Sequence, residues 1–501
     1  MSRASRRREQ QDQRSREQRG YASSPQLGVN APYLPNGGGA AEGTMRTATI
    51  ATLAAISAAC WVVAHADVPV APLIGFVGAI TGIALGAVSP LAGAILAIVF
   101  VPFRGGSEAV PFSLGEFFRG APLWGAAARL LADRFLAARR GESIAAPSRL
   151  ITIAAITGAL IAPLQRLTAV SLNTFPAQGA ELDMLSILGS QSLLFGAWVV
   201  GGHLPRRAVD ALLRASTVVI AVALLLSFAA WFGVKPLQFI TYDPEVFGRL
   251  ATLGYPTPTA MGLAIALPLA AAAAFTRSRL LGVAMVAAVG LAIVLTESRG
   301  PMIAILVIGL VAIPTIRALR GVRALGLLGA IGVAGGALLI NRYGDRIDQI
   351  LAGSIPNLDS DLQRITSWRA GIETALANPL TGGGWFSLRY WNDRELGRDN
   401  VNLSHNIILQ GLSDGGFPLG IAAAVVVIGS VILMIRHWRA IPISWRMAAI
   451  AVVICGLWDM PQMRAFGALF AGLALGLVAR PAQPPAATPG TPAEASEGLP
   501  A

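Results

Sequence analysis

The stretch Leu403–Gly420, "LSHNIILQGLSDGGFPLG", runs directly into the apolar sequence "IAAAVVVIGSVILMI" at 421–435. Together they provide the roughly 20 apolar residues that a helix needs to cross a hydrocarbon core. Such a segment must be helical, because lipid offers no partners for unpaired backbone groups. His405, one of only four histidines in the 501-residue chain, stands just before it. The stretch therefore predicts a transmembrane helix with a titratable residue at its entrance.

Similar apolar runs recur along the whole chain. Hydrophobic residues make up 54% of it and charged residues only 13%, whereas a soluble domain carries about 25% charged residues. The composition therefore predicts an all-α, polytopic membrane protein with about 12 transmembrane helices. Ser89-Pro90 interrupts one long run, which is either one kinked span or two segments. The predicted spans are 47–65, 70–103, 151–170, 184–201, 209–233, 258–275, 280–296, 301–316, 324–341, 416–435, 446–459 and 464–479.

The net charge of +12 follows membrane topology and does not indicate nucleic-acid binding. Arginines cluster in the first 46 residues, in the segment 104–150 and in several short loops. Short loops rich in arginine are cytoplasmic by the positive-inside rule. If 70–103 crosses once, both termini are cytoplasmic and the long segment 342–404 lies on the outer side.

These boundaries predict five regions. Residues 1–46 form a disordered, arginine-rich cytoplasmic tail that is attracted to anionic membrane lipids. Residues 47–341 form an N-terminal membrane bundle, and 342–404 form an extracytoplasmic loop domain with short helices. Residues 405–480 supply the C-terminal transmembrane helices. The low-complexity segment 481–501 is a second disordered cytoplasmic tail.

The outer segment contains one amphipathic helix and one glycine-rich loop. The sequence 360–380 opens with a capping-box pattern, Ser360 with Gln363, and its helix must stop before Pro379. The sequence "TGGGWFSLRYW" at 381–391 is then a loop. Its aromatic side chains either stack on sugar rings or anchor the loop at the membrane interface; they are Trp385, Tyr390 and Trp391.

Few ionisable side chains are available near the outer face. Arg249 and Arg299 either pair with nearby acids such as Glu297 or together bind an anionic ligand, since guanidinium groups bind phosphate oxygens through paired hydrogen bonds. His405 is either a structural helix-start residue or a general base, because histidine titrates near neutral pH. The position of all three on the outer side favours a site for a phosphorylated substrate.

The acidic triplet Asp359-Ser360-Asp361 has the spacing of a metal site in some sugar transferases. Aspartate and serine are also preferred helix N-caps, and we favour that interpretation. Elsewhere in the sequence no aspartate, glutamate or histidine cluster has ligand spacing, and no phosphate-binding loop or dinucleotide fingerprint is present. We therefore predict neither a metal nor a cofactor.

Three motifs in order resemble the O-antigen ligase and O-antigen polymerase superfamily, which also includes protein O-oligosaccharyltransferases. They are "LTESRG" at 295–300, "PLTGGGW" at 379–385 and "SHNIILQGLSDGGFPLG" at 404–420. The resemblance covers about residues 240–480 by motif order. It implies a GT-C-like fold and transfer of a glycan from an undecaprenyl-diphosphate carrier, without metal, at the outer face of the bacterial cytoplasmic membrane.

The resemblance also implies roles for individual residues. His405 is the catalytic histidine, and Arg249 and Arg299 hold the lipid diphosphate. Asn406 orients His405 or hydrogen-bonds a sugar. A glycan over the site is held by Arg364 and Trp368. The acceptor is a glycan, a lipid or a cell-wall polymer, and the sequence does not separate a ligase from a polymerase.

A twelve-span transporter is the rival from another class. The sequence has no internal repeat, which many transporters have. It also has no acidic residue deep in a span, because Glu297 and Asp459 lie near span ends. One long outer loop beside short cytoplasmic turns favours the enzyme.

Overall fold

The structure is a computed structural model in which every described element is helical. It describes residues 40–64, 70–101, 112–141, 147–164, 191–232, 250, 256–312, 358–384, 388, 404–459, 461 and 465–480. The α-helices are α1 Ala40–Ala64, α2 Ala71–Val88, α3 Pro90–Phe100, α4 Phe112–Arg139, α5 Arg149–Ile161, α6 Gln191–His203, α7 Arg206–Trp231, α8 Pro256–Arg277, α9 Arg279–Leu295, α10 Arg299–Ala312, α11 Leu358–Ala377, α12 Ile407–Arg436, α13 Ile443–Trp458 and α14 Ala465–Val478. The predicted all-α class is confirmed for this part of the chain.

The chain divides into two compact units, Met1–Thr49 and Ile50–Ala501. In the first unit only residues 40–49, the start of α1, are described. The helix therefore begins at Ala40, within the tail that we predicted as disordered up to residue 46. Alanine, glutamate and methionine are strong helix formers and extend the helix toward the N-terminus. Everything below concerns the second unit, apart from those first residues of α1.

Among the described residues, five helices are long and apolar enough to cross a membrane. They are Thr44–Ala64, Ala71–Val88, Arg206–Trp231, Thr259–Arg277 and Ile407–Arg436. Shorter apolar helices occupy most of the other predicted spans, while the predicted span 324–341 lies outside the described residues. The prediction of a multi-pass membrane protein is thus confirmed, and the count of twelve spans stays a prediction.

The interruption predicted at Ser89-Pro90 is present. Ser89 is extended, its hydroxyl accepts from Ala92 N at 3.4 Å, and α3 begins at Pro90. Proline is favoured at the first helical position, which explains why a new helix starts there. A Cβ on Gly93 would lie 2.5 Å from the Cα of Gly86, so α3 folds back on α2. The run 70–103 is therefore two helices that pack against each other.

The helix α4 lies in the segment 104–150, which we had predicted only as an arginine-rich connection. It packs closely on α2, because a Cβ on Gly125 would collide with Ile83 O and one on Gly86 with Pro122 O. Small residues of this kind allow helix backbones to approach in membrane proteins. We did not predict this packing face, because the charged residues of α4 lower the hydropathy of the segment.

The core of the second unit surrounds α6, α12 and α14. The helices α6 and α14 pack through glycines: a Cβ on Gly476 would collide with Trp198 O, and one on Gly201 would lie 2.7 Å from Leu473 O. The buried Trp198 indole donates to Ser430 Oγ at 3.0 Å, which ties α6 to α12. This core holds α12, whose first residues follow His405.

The outer-segment helix α11 ends at Ala377, before Asn378-Pro379, as predicted. Its start differs from the prediction, because the helix begins at Leu358 and Ser360 therefore lies inside the first turn, so it is not the N-cap. Acidic residues are also favourable in a first turn, where they face the positive end of the helix dipole. The side chains of 358–363, including those of Asp359 and Asp361, lie outside the described part of the structure.

Candidate functional site

The candidate site begins at the N-terminus of α12. Asn406 is the N-cap, and its Oδ1 accepts hydrogen bonds from Ile408 N at 3.0 Å and Leu409 N at 3.2 Å. His405 precedes it with φ +47°, a left-handed conformation that is uncommon for a residue with a side chain. The Asn406 oxygen thus caps the first turn of α12, and this cap fixes the backbone that carries His405.

His405 faces an acidic residue that we did not predict as part of the site. Its Nδ1 lies 3.4 Å from Asp459 Oδ1, at the long end of hydrogen-bond range. Asp459 directly follows α13, and Gly456 in the last turn of that helix packs against Ile407. With Nδ1–H directed at the carboxylate, Nε2 is the nitrogen with a free lone pair. The sequence signal was weak: Asp459 is an acid at the end of an apolar run, 54 residues from His405.

A buried polar chain supports the residues on both sides of His405. Ser404 N donates to Gln410 Oε1 at 2.9 Å, and Gln410 Nε2 donates to Asp414 Oδ2 at 2.8 Å. Gln410 and Asp414 are one helical turn apart, which lets their side chains meet. Asp414 is fully buried, and Ser413 Oγ lies 3.4 Å from its Oδ1. Sequence analysis gave this chain no role, although the i, i+4 spacing was visible.

The helix α12 breaks at Gly415-Gly416. Gly416 has φ +66° and ψ −164°, a conformation that is essentially restricted to glycine. The freed carbonyls of Ser413 and Asp414 accept from Gly383 N at 2.8 Å and Gly384 N at 3.0 Å. In return, Phe417 N donates to Pro379 O at 2.8 Å. Backbone at membrane depth must be paired in this way within the protein.

The glycines of 381–384 therefore brace the broken helix through their backbone. Gly382 has φ +63° and Gly384 has φ +87°, and a Cβ on Gly382 would lie 2.6 Å from the carbonyl carbon of Asp414. Side chains other than hydrogen do not fit at this contact. The aromatic residues predicted to stack on sugars or to anchor the loop lie outside the described residues; they are Trp385, Tyr390 and Trp391.

One face of α11 packs beside Ser404. A Cβ on Gly371 would lie 2.7 Å from Ser404 Oγ, so this turn of α11 touches the residue before His405. Arg364 and Trp368 share that face, because they precede Gly371 by seven and three residues. Both are half-buried, and the Trp368 indole nitrogen is buried without a hydrogen-bond partner in the described part of the chain. The predicted pair therefore lies on the face of α11 that packs beside Ser404, one and two turns before Gly371.

The Thr296–Arg299 turn is the second unusual backbone segment. Glu297 has φ +54°, and α10 begins two residues later at the exposed Arg299. Arg299 has no ion-pair partner among the described residues, so its pairing with Glu297 is not observed there. The helix α10 packs against α13, the helix that Asp459 follows.

Arg249 lies outside the described residues, but its neighbour is placed. Leu250 N donates to Leu295 O at 3.0 Å, at the end of α9 and directly before the 296–299 turn. This contact joins the chain that follows Arg249 to the segment that carries Arg299. The predicted pair of arginines therefore comes from two stretches that meet at Leu295.

No group of three or more histidine, cysteine, aspartate or glutamate side chains that could hold a metal occurs in the described ranges. His405 with Asp459 is a pair, and Asp414 is engaged by Gln410. The metal-independence of the reaction remains a prediction.

A family model described as "O-Antigen ligase" matches residues 281–424. This stretch includes Arg299, Arg364, Trp368, His405 and Asn406. The resemblance that we found in the sequence is confirmed there, because residues 281–424 are similar to the O-antigen ligase family. No curated protein sequence gives a significant match to the chain.

This similarity supports a general class of activity. It implies a membrane-bound, glycosyltransferase-like ligase or polymerase of polysaccharide biosynthesis. It also implies a lipid-linked glycan donor and an acceptor. Arg249 and Asp459 lie outside the matched residues, so the assignment of both to the site depends on the contacts at Leu295 and His405.

Proposed function

We propose that the protein is an inverting, metal-independent glycosyltransferase of the O-antigen ligase type. It moves a glycan from an undecaprenyl-diphosphate carrier to an acceptor hydroxyl at the outer face of the bacterial cytoplasmic membrane. The observation that carries the proposal is the His405–Asp459 pair at the start of α12. A histidine with one ring nitrogen directed at a carboxylate and the other available is suited to accept a proton.

The backbone conformation at two of the motifs also supports the proposal. Among the described residues, Glu297 and His405 are the non-glycine residues with positive φ. Left-handed conformations of this kind cost of order 1–3 kcal/mol each and concentrate at functional sites. Glu297 and His405 belong to separate motifs of the matched stretch. Neither is a glycine, the residue that adopts such a conformation readily.

In the proposed step the acceptor oxygen attacks the anomeric carbon, and a new C–O bond forms with inversion. The bond between that carbon and the diphosphate oxygen breaks, and its electron pair leaves with the lipid diphosphate. His405 Nε2 takes the proton of the acceptor hydroxyl. Arg249 and Arg299 bind the diphosphate and stabilise the charge that it gains. Arg364 and Trp368 hold the glycan, and Asn406 stays close enough to His405 to orient it or bind a sugar.

The proposal retains the predicted orientation. Because α2 and α3 are two helices that pack against each other, α2, α3 and α4 together must return the chain to the cytoplasmic side, in place of a single crossing by 70–103. With both tails in the cytoplasm, α11 and His405 then lie on the outer side, within the GT-C-like arrangement that the family implies. The regions are the N-terminal tail, the bundle up to residue 341, the loop domain 342–404, the helices 405–480 and the C-terminal tail. Reporter fusions at Gly397 should then be active only outside the cytoplasm, and fusions at Gly141 only inside.

The lipid-linked intermediates of a deletion strain separate ligase from polymerase. Full-length glycan that accumulates on the carrier indicates a ligase, and single repeat units indicate a polymerase. Unchanged carrier-linked glycan, together with a transport defect, would instead favour the transporter alternative. Restoring the wild-type chain should reverse the accumulation, whereas a His405→Gln chain at the same membrane level should not.

The diphosphate-binding role is tested at Arg299. Arg299→Ala should weaken donor binding and reduce transfer, on the order of 10²-fold for a lost charge-stabilising donor. Arg299→Lys should recover only part, because an ammonium lacks the planar fork of guanidinium. The control is Arg436→Ala, an exposed arginine at the far end of α12. Normal donor binding by Arg299→Ala would remove this residue from the donor site.

A further inference from the structure

Several helix ends meet at a second polar junction, formed by residues that the proposed reaction does not use. Arg134 on α4 places Nη1 at 2.7 Å from His203 Nε2, at the end of α6. Its Nη2 lies 3.4 Å from Pro147 O, two residues before α5. A Cβ on Gly202 would lie 2.9 Å from Pro147 and 3.6 Å from Gly476 O on α14. The ends of α6 and α14 and the start of α5 therefore converge around Arg134.

His203 is neutral in this arrangement. A guanidinium only donates hydrogen bonds, so His203 Nε2 accepts from Arg134. Its Nδ1 then donates to Val199 O at 2.9 Å. The ring is used on both sides and adds no positive charge, which leaves the arginines as the charged groups of the junction.

Four arginines surround the junction; they are Arg134, Arg149, Arg206 and Arg480. In the described residues none of the four forms a salt bridge. Burial and the nearby Arg206 lower the pKa of Arg480 to about 10, against a smaller opposing effect of Asp210. Burial and Arg149 likewise lower the pKa of Arg134. The protein thus gathers positive charges that disfavour one another, with Asp210 as the acid close enough to influence Arg480.

The local helix chemistry adds to the positive potential. Arg149 and Arg206 are the first residues of α5 and α7, where the helix dipole already presents positive charge. The N-caps before them, Ser148 and Pro205, make no side-chain capping hydrogen bond. Arginine at this position is unfavourable for the helix alone. An anion that binds the arginines would remove the mutual repulsion as well as the conflict with the dipoles.

We propose that this arginine junction, formed by Arg134, Arg149, Arg206 and Arg480, binds a phosphate group. Arg149, Arg206 and Arg480 lie at the ends of apolar helices, and Arg134 lies in the last turns of α4. All four are in segments that the positive-inside rule assigns to the cytoplasm. Basic pockets between transmembrane helices on that side bind anionic lipid headgroups. A phosphate carried by a phospholipid and free inorganic phosphate offer the same chemistry to the guanidinium groups, and experiment distinguishes them.

The test uses the full chain, purified in an uncharged detergent and titrated with phosphatidylglycerol, phosphatidylcholine or inorganic phosphate. Bound ligand is counted by native mass spectrometry. Phosphatidylglycerol should bind more tightly than phosphatidylcholine. Arg134→Gln and Arg480→Gln should each weaken it about fivefold, as expected for one charge near an anionic headgroup. The matched control is Arg439→Gln, an exposed arginine in another basic loop, and should leave binding unchanged.

Arg149→Gln and Arg206→Gln keep the test decisive if the half-buried positions do not tolerate substitution, since both side chains are exposed. Binding of inorganic phosphate with the same dependence on these arginines, and no further gain from lipid, supports the site with free phosphate as its ligand. Equal binding of phosphatidylglycerol and phosphatidylcholine, together with no arginine-dependent binding of inorganic phosphate, would overturn the proposal. So would an equal loss in Arg439→Gln, because the effect would then reflect net charge alone.

Discussion

The two halves of α12 differ in the side chains that they bury and expose. Before the break, at 407–414, the helix buries Gln410, Ser413 and Asp414 and hydrogen-bonds them to one another and to Ser404. After the break, it exposes an isoleucine on one face every three to seven residues. These are Ile421, Ile428, Ile432 and Ile435.

The difference shows how a membrane helix accommodates buried polar groups. The second half needs only apolar contact and one polar link, from Trp198 to Ser430. The first half holds polar groups that would be costly in lipid unless each is paired. The break at Gly415-Gly416 separates the two, because it turns the chain and offers carbonyls to the loop 379–384. The four predictions below compare a change within or next to the first half with a matched change elsewhere.

The largest difference is expected between the two histidines at the ends of α12. His405→Gln should reduce single-turnover transfer by about 10²–10⁴-fold, the usual contribution of a positioned base. Transfer falls because glutamine cannot accept the proton. Donor binding should remain near normal, because His405 acts on the acceptor and glutamine keeps a polar side chain. His437→Gln, at the C-cap of the same helix, should have little effect. Near-normal transfer by His405→Gln would make His405 a structural helix-start residue.

Asp459 should act through His405. Asp459→Asn removes a charged hydrogen-bond partner, which is worth about 1.5–3 kcal/mol. Turnover should therefore fall about 10- to 100-fold, while donor binding is unchanged. Asp459→Glu should recover part of the loss, and Asp133→Asn, in a surface pair with Arg129, serves as the control. An equal loss of donor binding and turnover would indicate that Asp459 only maintains the fold.

The break itself is tested by two glycines of α12. Gly416→Ala places a Cβ at a glycine-only conformation, at a cost of about 1–3 kcal/mol, and 2.5 Å from Pro379 O. Both thermal stability and transfer should fall. Gly429→Ala meets only the end of the Ile151 side chain, which can move, so its melting temperature should stay close to that of the parent. Equal melting curves for the two variants would show that the loop does not brace the helix.

The smallest effect is expected at the polar link of the second half. Ser430→Ala leaves the Trp198 indole without its acceptor. Hydrogen bonds between membrane helices average about 0.6 kcal/mol, so the melting temperature should fall slightly and transfer should not change. Asp414→Ala removes the acceptor of Gln410 Nε2 and should lower transfer as well. If Ser430→Ala reduced transfer as much as Asp414→Ala, the two halves would not be functionally distinct.

Local signals in the sequence predicted much of this architecture. Apolar runs located the helices, Ser89-Pro90 marked a break, and Asn378-Pro379 marked the end of α11, because these features depend on adjacent residues. His405 was found because polar residues are rare beside a span. Asp459 and α4 were not found, since their partners are far away in the sequence and the packing of α4 depends on Gly86 and Gly125. The start of α11 was misplaced because capping chemistry fits more than one position.

The brace between the 379–384 loop and α12 also matters for engineering. Its three hydrogen bonds use backbone atoms of Pro379, Gly383 and Gly384, so the side chains of the loop are not needed to hold it. Leu380 is 76% exposed, and Thr381 is exposed beside it. A library of loop variants can therefore randomise these two positions without removing the brace. The glycines should be kept, so that every variant retains the backbone hydrogen bonds between the loop and α12.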